Sequence, residues 1–73
     1  MMEPVERLAN AIILQAVKDY RAALRALKKS PSSNTARSQK KALERFFRSD
    51  WYLLLTDLDG EMVIEKIRKE VMG

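Results

Sequence analysis

The sequence predicts an all-α fold, a small bundle of three main helices plus one short helix. Three observations carry that prediction. Glycine occurs only at Gly60 and Gly73 and proline only at Pro4 and Pro31, which leaves room for a few helices and little else. Between those points apolar residues recur at helical spacing. Apolar residues make up 47% of the chain and charged residues 33%, a balance that suits a folded helical domain better than a disordered chain. Residues 1–73 form one domain, with helices at about 4–29, 34–48, 50–56 and 60–71. A domain near this size buries only about 60% of its unfolded surface, so its stability is marginal unless it packs efficiently or oligomerises.

The first helix starts at Pro4, a residue tolerated in a first turn, with Glu3 and Glu6 near the positive end of the helix dipole. It ends at Lys28 and Lys29, cations suited to a C-terminus. Projected at about 100° per residue, Val5, Leu8, Ala9, Ile12, Ile13, Ala16, Val17, Tyr20, Leu24 and Leu27 form one wide apolar face. Lys18, Arg21, Arg25, Lys28 and Lys29 lie in a narrow arc opposite, and Leu14 projects into that arc. Pro31, set among Ser30, Ser32, Ser33 and Asn34, blocks continuation, and Ser33 or Asn34 caps the second helix. That helix buries Ala36, Leu43, Phe46 and Phe47 and turns Arg37, Lys40, Lys41, Arg45 and Arg48 outward, with Glu44 among them.

Ser49 followed by Asp50 reads as an N-cap and an acidic first turn. The short third helix then carries Trp51, Leu54 and Leu55 inward, with Tyr52 the exposed aromatic; a kinked continuation of the second helix is the alternative. Asp57 or Asp59 caps the last helix, whose apolar stripe is Val63, Ile64, Ile67 and Val71. On this reading Trp51 and the Phe46/Phe47 pair sit near the centre of the core, where truncating Trp51 to Ala costs roughly 3–5 kcal/mol.

Several function classes are excluded or left unsupported. The chain has no Cys and no His, which removes disulfides, thiolate nucleophiles, imidazole bases and the usual zinc ligands. A calcium loop starting at Asp57 would need Gly at Met62 and an acid at Arg68, and one starting at Asp59 would need Gly at Ile64, so the turn is a capping turn with no metal. Asp50, Asp57, Asp59 and Glu61 are the only carboxylate cluster, and so small a domain has little room for the enclosing cleft that acid/base pairs use. No catalytic residues, no cofactor and no enzymatic activity are expected. A helix-turn-helix is unsupported, because the usual short turn is not evident at Arg48-Ser49. No apolar run approaches the ~20 residues needed to span a bilayer. The N-terminus lacks a secretory pattern, and the apolar face of the first helix is needed for the core, so a cytoplasmic protein with no membrane partner is expected.

What remains is charge. Ten of the fourteen Lys and Arg residues lie between Lys18 and Arg48, opposed there only by Asp19 and Glu44. Helix-phased cations can contact several phosphates together, so Lys18, Arg21, Arg25, Lys28, Arg37, Lys40, Lys41, Arg45 and Arg48 are the candidate nucleic-acid-binding residues. The same field attracts an acidic protein, with Leu14 and Tyr52 as candidate contacts. Charge asymmetry also suits a homodimer, the last helix of one copy against the first two of another. The bland alternative is the solvated backs of two amphipathic helices. Whether the cations form one patch or two depends on how the first two helices cross.

Ala9-Asn10-Ala11-Ile12-Ile13-Leu14-Gln15-Ala16-Val17-Lys18-Asp19-Tyr20-Arg21, together with residues 44–51 and 55–61, resembles a group of short uncharacterised proteins encoded in prophages and integrative elements of Firmicutes. The resemblance covers most of the chain except the 30–34 loop, and it brings no activity to individual residues. It implies a setting, that of a mobile-element accessory protein in a bacterial cytoplasm, where such proteins regulate element genes, help process nucleic acid or inhibit host defence systems.

Overall fold

The computed structural model describes residues 4–73, the side chain of Val5 aside, as four helices: α1 (Pro4–Lys29), α2 (Asn34–Phe47), α3 (Asp50–Leu55) and α4 (Gly60–Met72). The fold is all-α, as its punctuation dictates. Glu3 and the Val5 side chain, given roles from sequence, lie outside the described residues. At 1.5 Å per residue α1 is about 39 Å long and α2 about 21 Å. The 43 × 21 × 19 Å envelope therefore follows α1.

The starts of α2, α3 and α4 are each fixed by a side-chain cap. Ser33 Oγ accepts from the Ala36 amide at 3.3 Å, Ser49 Oγ from the Tyr52 amide at 3.2 Å, and Asp59 Oδ1 from the Glu61 amide at 2.9 Å. α2 runs antiparallel to α1, with Tyr20 opposite Glu44 near mid-bundle. α4 runs antiparallel to α2, from an Arg48–Glu61 ion pair at its start to Met72 beside Lys40 and Lys41 at its end.

The core contains Ile13, Ala16, Tyr20 and Leu24 of α1, Phe47 of α2, Tyr52 of α3, and Ile64, Ile67 and Val71 of α4. Ala9, Ala23 and Ala36 are also buried. The α1 and α4 stripes thus follow their helical phasing, except that Leu8, read as part of the apolar face, is exposed. It lies in the N-terminal part of the helix that is longer than its partners.

Leu55 of α3 packs against the core as expected, but Trp51, Leu54 and Tyr52 take the opposite sides from those expected. Trp51 is 56% exposed and Leu54 84% exposed, whereas Tyr52 is wholly buried and Leu55 is half-buried. Continuing the phase of α2 from Phe47 would carry Trp51 inward. The chain instead leaves the helix at Arg48 (φ −98°, ψ 0°) and is extended at Ser49 (φ −82°, ψ 159°), which resets the phase. Tyr52 then meets Phe46 and Phe47 edge-on at 5.8 and 5.6 Å, while Trp51 stacks edge-on against Phe46 at 5.6 Å from outside. α2 and α3 are therefore separate helices.

Glu44 is the second correction. It turns inward and is buried, accepting the Tyr20 hydroxyl at 2.6 Å. Lys40 lies 3.3 Å away and Arg68 of α4 lies 3.9 Å away. Burial pushes its carboxyl pKa up, but hydrogen bonds from Tyr20 and Lys40 and the charges of Lys40 and Arg68 outweigh burial and hold it below the ordinary range. Burial first, then the bond to Glu44 and its charge, push the Tyr20 hydroxyl the other way.

Candidate nucleic-acid interface

The nine candidate cations divide by what their charges meet. Arg21 pairs with Glu70 at 2.9 Å, Lys40 pairs with Glu44, and Arg48 pairs with Glu61, whose carboxyl it holds below the usual range by hydrogen bonding. These three are neutralised within the molecule. Lys28 and Arg37 are anchored to neutral partners instead. Lys28 Nζ donates to the Val71 carbonyl at 3.0 Å, which caps the C-terminus of α4, and Arg37 Nη2 donates to the Pro31 carbonyl at 3.1 Å. Both heads are positioned and keep their charge. Lys18, Arg25, Lys41 and Arg45 are exposed and have no ion-pair partner among the described residues.

The 30–34 loop brings the end of α1 and the start of α2 together. Its path is set by Ser30 N–H donating to Ala26 O at 2.8 Å and Ser33 N–H donating to Ser30 O at 3.0 Å. The result is an open depression of about 600 Å³. Lys28, Arg37, Lys40 and Lys41 surround an apolar floor of Leu27, Pro31 and Met72, and no acid among the described residues lines it. On the α4 side a second hollow of about 640 Å³ is lined by Arg25, Lys28 and Lys29, with Glu70 the one acid. Lys28 belongs to both, so the cations wrap continuously around one end of the molecule. Arg45 lies further along α2 and Lys18 further back on α1, outside both hollows.

Two of the three acids that select among the cations lie on another helix. The Lys40–Glu44 pair has helical i,i+4 spacing and was legible. Arg21 and Glu70 are 49 positions apart, so nothing local joins them. Lys29, placed in the basic arc but not among the candidate binding residues, lines the second hollow, and the apolar floor joins residues of α1, the loop and α4. Of the two residues read as protein contacts, Leu14 is 61% exposed and Tyr52 is inaccessible.

Among the described residues no group of three or more acids could hold a metal ion, and no helix is long and apolar enough to cross a membrane. The chain matches no protein-family model, no curated protein and no solved structure.

Proposed function

We propose that this chain is a non-catalytic nucleic-acid-binding protein that holds the phosphate backbone at the basic end of the bundle, in the mobile-element setting that its resemblance implies. One observation carries the reading. Of the four cations around the depression, Lys28 and Arg37 are anchored to carbonyl groups, Lys41 meets no acid among the described residues, and Lys40 is paired with Glu44. A solvated helix back has no need to anchor charged heads while leaving them unneutralised. Phosphates would be bound through charge, with little sequence readout.

The test is fluorescence anisotropy with labelled duplex DNA, single-stranded DNA and duplex RNA. Arg25, Lys28, Lys29, Arg37 and Lys41 together imply a salt slope that weakens binding by about 10²–10³-fold between ~50 and ~200 mM salt if all five reach phosphates. Lys28→Gln with Arg37→Gln and Lys41→Gln reduces the slope by about three contacts, whereas Arg21→Gln, already paired with Glu70, leaves it near the parent value. Absence of binding to all three probes at low salt overturns the reading. The exposure of Leu14 then favours the second reading, a protein-binding accessory factor, whose bound partner is lost on Leu14→Glu.

A further inference from the structure

The solvent side of α1 is two surfaces. One is the basic stripe. On the other, Leu8, Ile12, Gln15, Asp19, Ala22 and Ala26 recur at alternating steps of four and three, the heptad spacing of a helix that packs along another helix. All are exposed except half-buried Ile12. Beside them runs a trough between α1 and α2 in two connected parts of about 430 and 360 Å³. Phe46 and Trp51 wall one end, Ala42 lies along the other, Leu43 lines both parts, and among the described residues Asp19 is the only charged lining residue. A 56%-exposed tryptophan at one end of the trough and a 63%-exposed leucine on the adjoining stripe are more than scattered surface apolarity.

We propose that a second copy of this chain docks in this trough, α1 against α1, antiparallel about a two-fold axis near Val17. The stripe is self-complementary in that direction alone. Its bulk, Leu8 and Ile12, is at one end; its small residues, Ala22 and Ala26, are at the other; its polar pair, Gln15 and Asp19, is in the middle. Antiparallel pairing sets Leu8 over Ala26 of the second copy, Ile12 over Ala22 and Gln15 over Asp19. A parallel pair stacks bulk on bulk and Asp19 on Asp19. Gln15 Nε2 already donates to Asp19 within one chain at 2.9 Å, and a central polar pair fixes the register of such a seam.

Charge selects the same direction. Glu6, Asp50 and Asp57 are exposed at the end where α1 begins and α3 packs, with Arg7 the exposed cation beside Glu6, and Lys28, Lys29 and Arg37 are exposed at the other end. The antiparallel dimer sets each acidic end beside the partner copy's basic end, and the parallel one sets like beside like. The trough lies on the α1/α2 face, whereas the acid-free depression includes Met72 of α4. The two share no lining residue, so each copy's acid-free depression is outside the trough.

Sedimentation equilibrium across a dilution series tests this without nucleic acid, so its failure is distinct from failure of the binding reading. Expected are twice the chain mass at high concentration, a monomer for Ala22→Glu with helical circular dichroism retained, and a dimer for Leu14→Glu, which changes the other side of α1. Trp51, the only tryptophan, shifts its emission to longer wavelength on dilution. For orientation, Leu8→Cys and Ala26→Cys chains, mixed and oxidised, form the mixed disulfide in preference to either homodimer. A monomeric parent at every concentration, a dimer that survives Ala22→Glu, or preferred self-crosslinking of Leu8→Cys overturns the proposal.

Discussion

The two ends of this bundle are built from different chemistry. At one, the end of α2, α3 and the start of α4 close around aromatic rings, with Phe47 edge-on to Tyr20, Phe46 and Tyr52 at 6.0, 5.4 and 5.6 Å. At the other, four cations, two of them held by backbone carbonyls, surround an open depression. In so short a chain the difference separates two tasks. Packing is concentrated where the chain turns twice, and charge is concentrated where stability depends on it least. Substitutions at one end should move the melt and not the ligand, and those at the other should do the reverse.

The largest expected effect tests the packed end. Phe47 is nearly fully buried, and Phe47→Ala should cost about 3–5 kcal/mol. Small domains have total stabilities from about 5 kcal/mol, so the cooperative urea transition seen by circular dichroism should be lost. Gly60 comes next. A Cβ there would sit 1.9 Å from the Phe47 carbonyl oxygen, so the backbone of one helix must move. Gly60→Ala should reach the top of the ~1–3 kcal/mol range for overpacking. By contrast, Arg25→Gln with Lys41→Gln should leave the urea midpoint within the ~0.5 kcal/mol scatter of surface changes. A large loss there would erase the separation of the two ends.

Between the ends lies the Tyr20–Glu44 contact, and its pH dependence sharpens the comparison. In the unfolded chain Glu44 takes up a proton near its ordinary pKa of 4.5, and in the fold it does so at lower pH. The stability this contributes is present above about pH 4.5 and is lost as pH falls through the folded-state value. Tyr20 is raised, so its contribution is intact below its ordinary pKa of 10.0 and is lost at higher pH. Tyr20→Phe leaves a buried carboxylate short of one donor and should cost about 1–3 kcal/mol at neutral pH. It should also flatten the decline in urea midpoint on acidification, since the tyrosine helps to lower the Glu44 pKa.

How much of this was legible depends on how local each cause is. Pro31, Ser33, Ser49 and Asp59 act within one turn, and the helix starts could be read from them. The buried faces of α1 and α4 follow from phasing within one helix. Phasing fails across Arg48 and Ser49, where two non-helical residues rotate α3, so Tyr52 and Trp51 exchange places. The cations were legible as a group. Their division into neutralised and unneutralised was not, because Glu70 and Glu61 reach them from another helix.

Tyr52 carries the smallest prediction, and one of opposite sign. It is as buried as Tyr20, yet its hydroxyl has no hydrogen-bond partner among the described residues. Burial, and then the charge of Asp59, push its pKa up. A buried hydroxyl without a partner loses its hydration and receives nothing in return, whereas its ring keeps both phenylalanine contacts. Tyr52→Phe should therefore be neutral or stabilising by up to about 1 kcal/mol in urea denaturation. The same atom is removed in Tyr20→Phe, and only there does it leave a carboxylate behind. Equal losses for the two substitutions would mean that the Tyr52 hydroxyl finds a partner in solution, and the packed end would then hold a polar contact as well as rings.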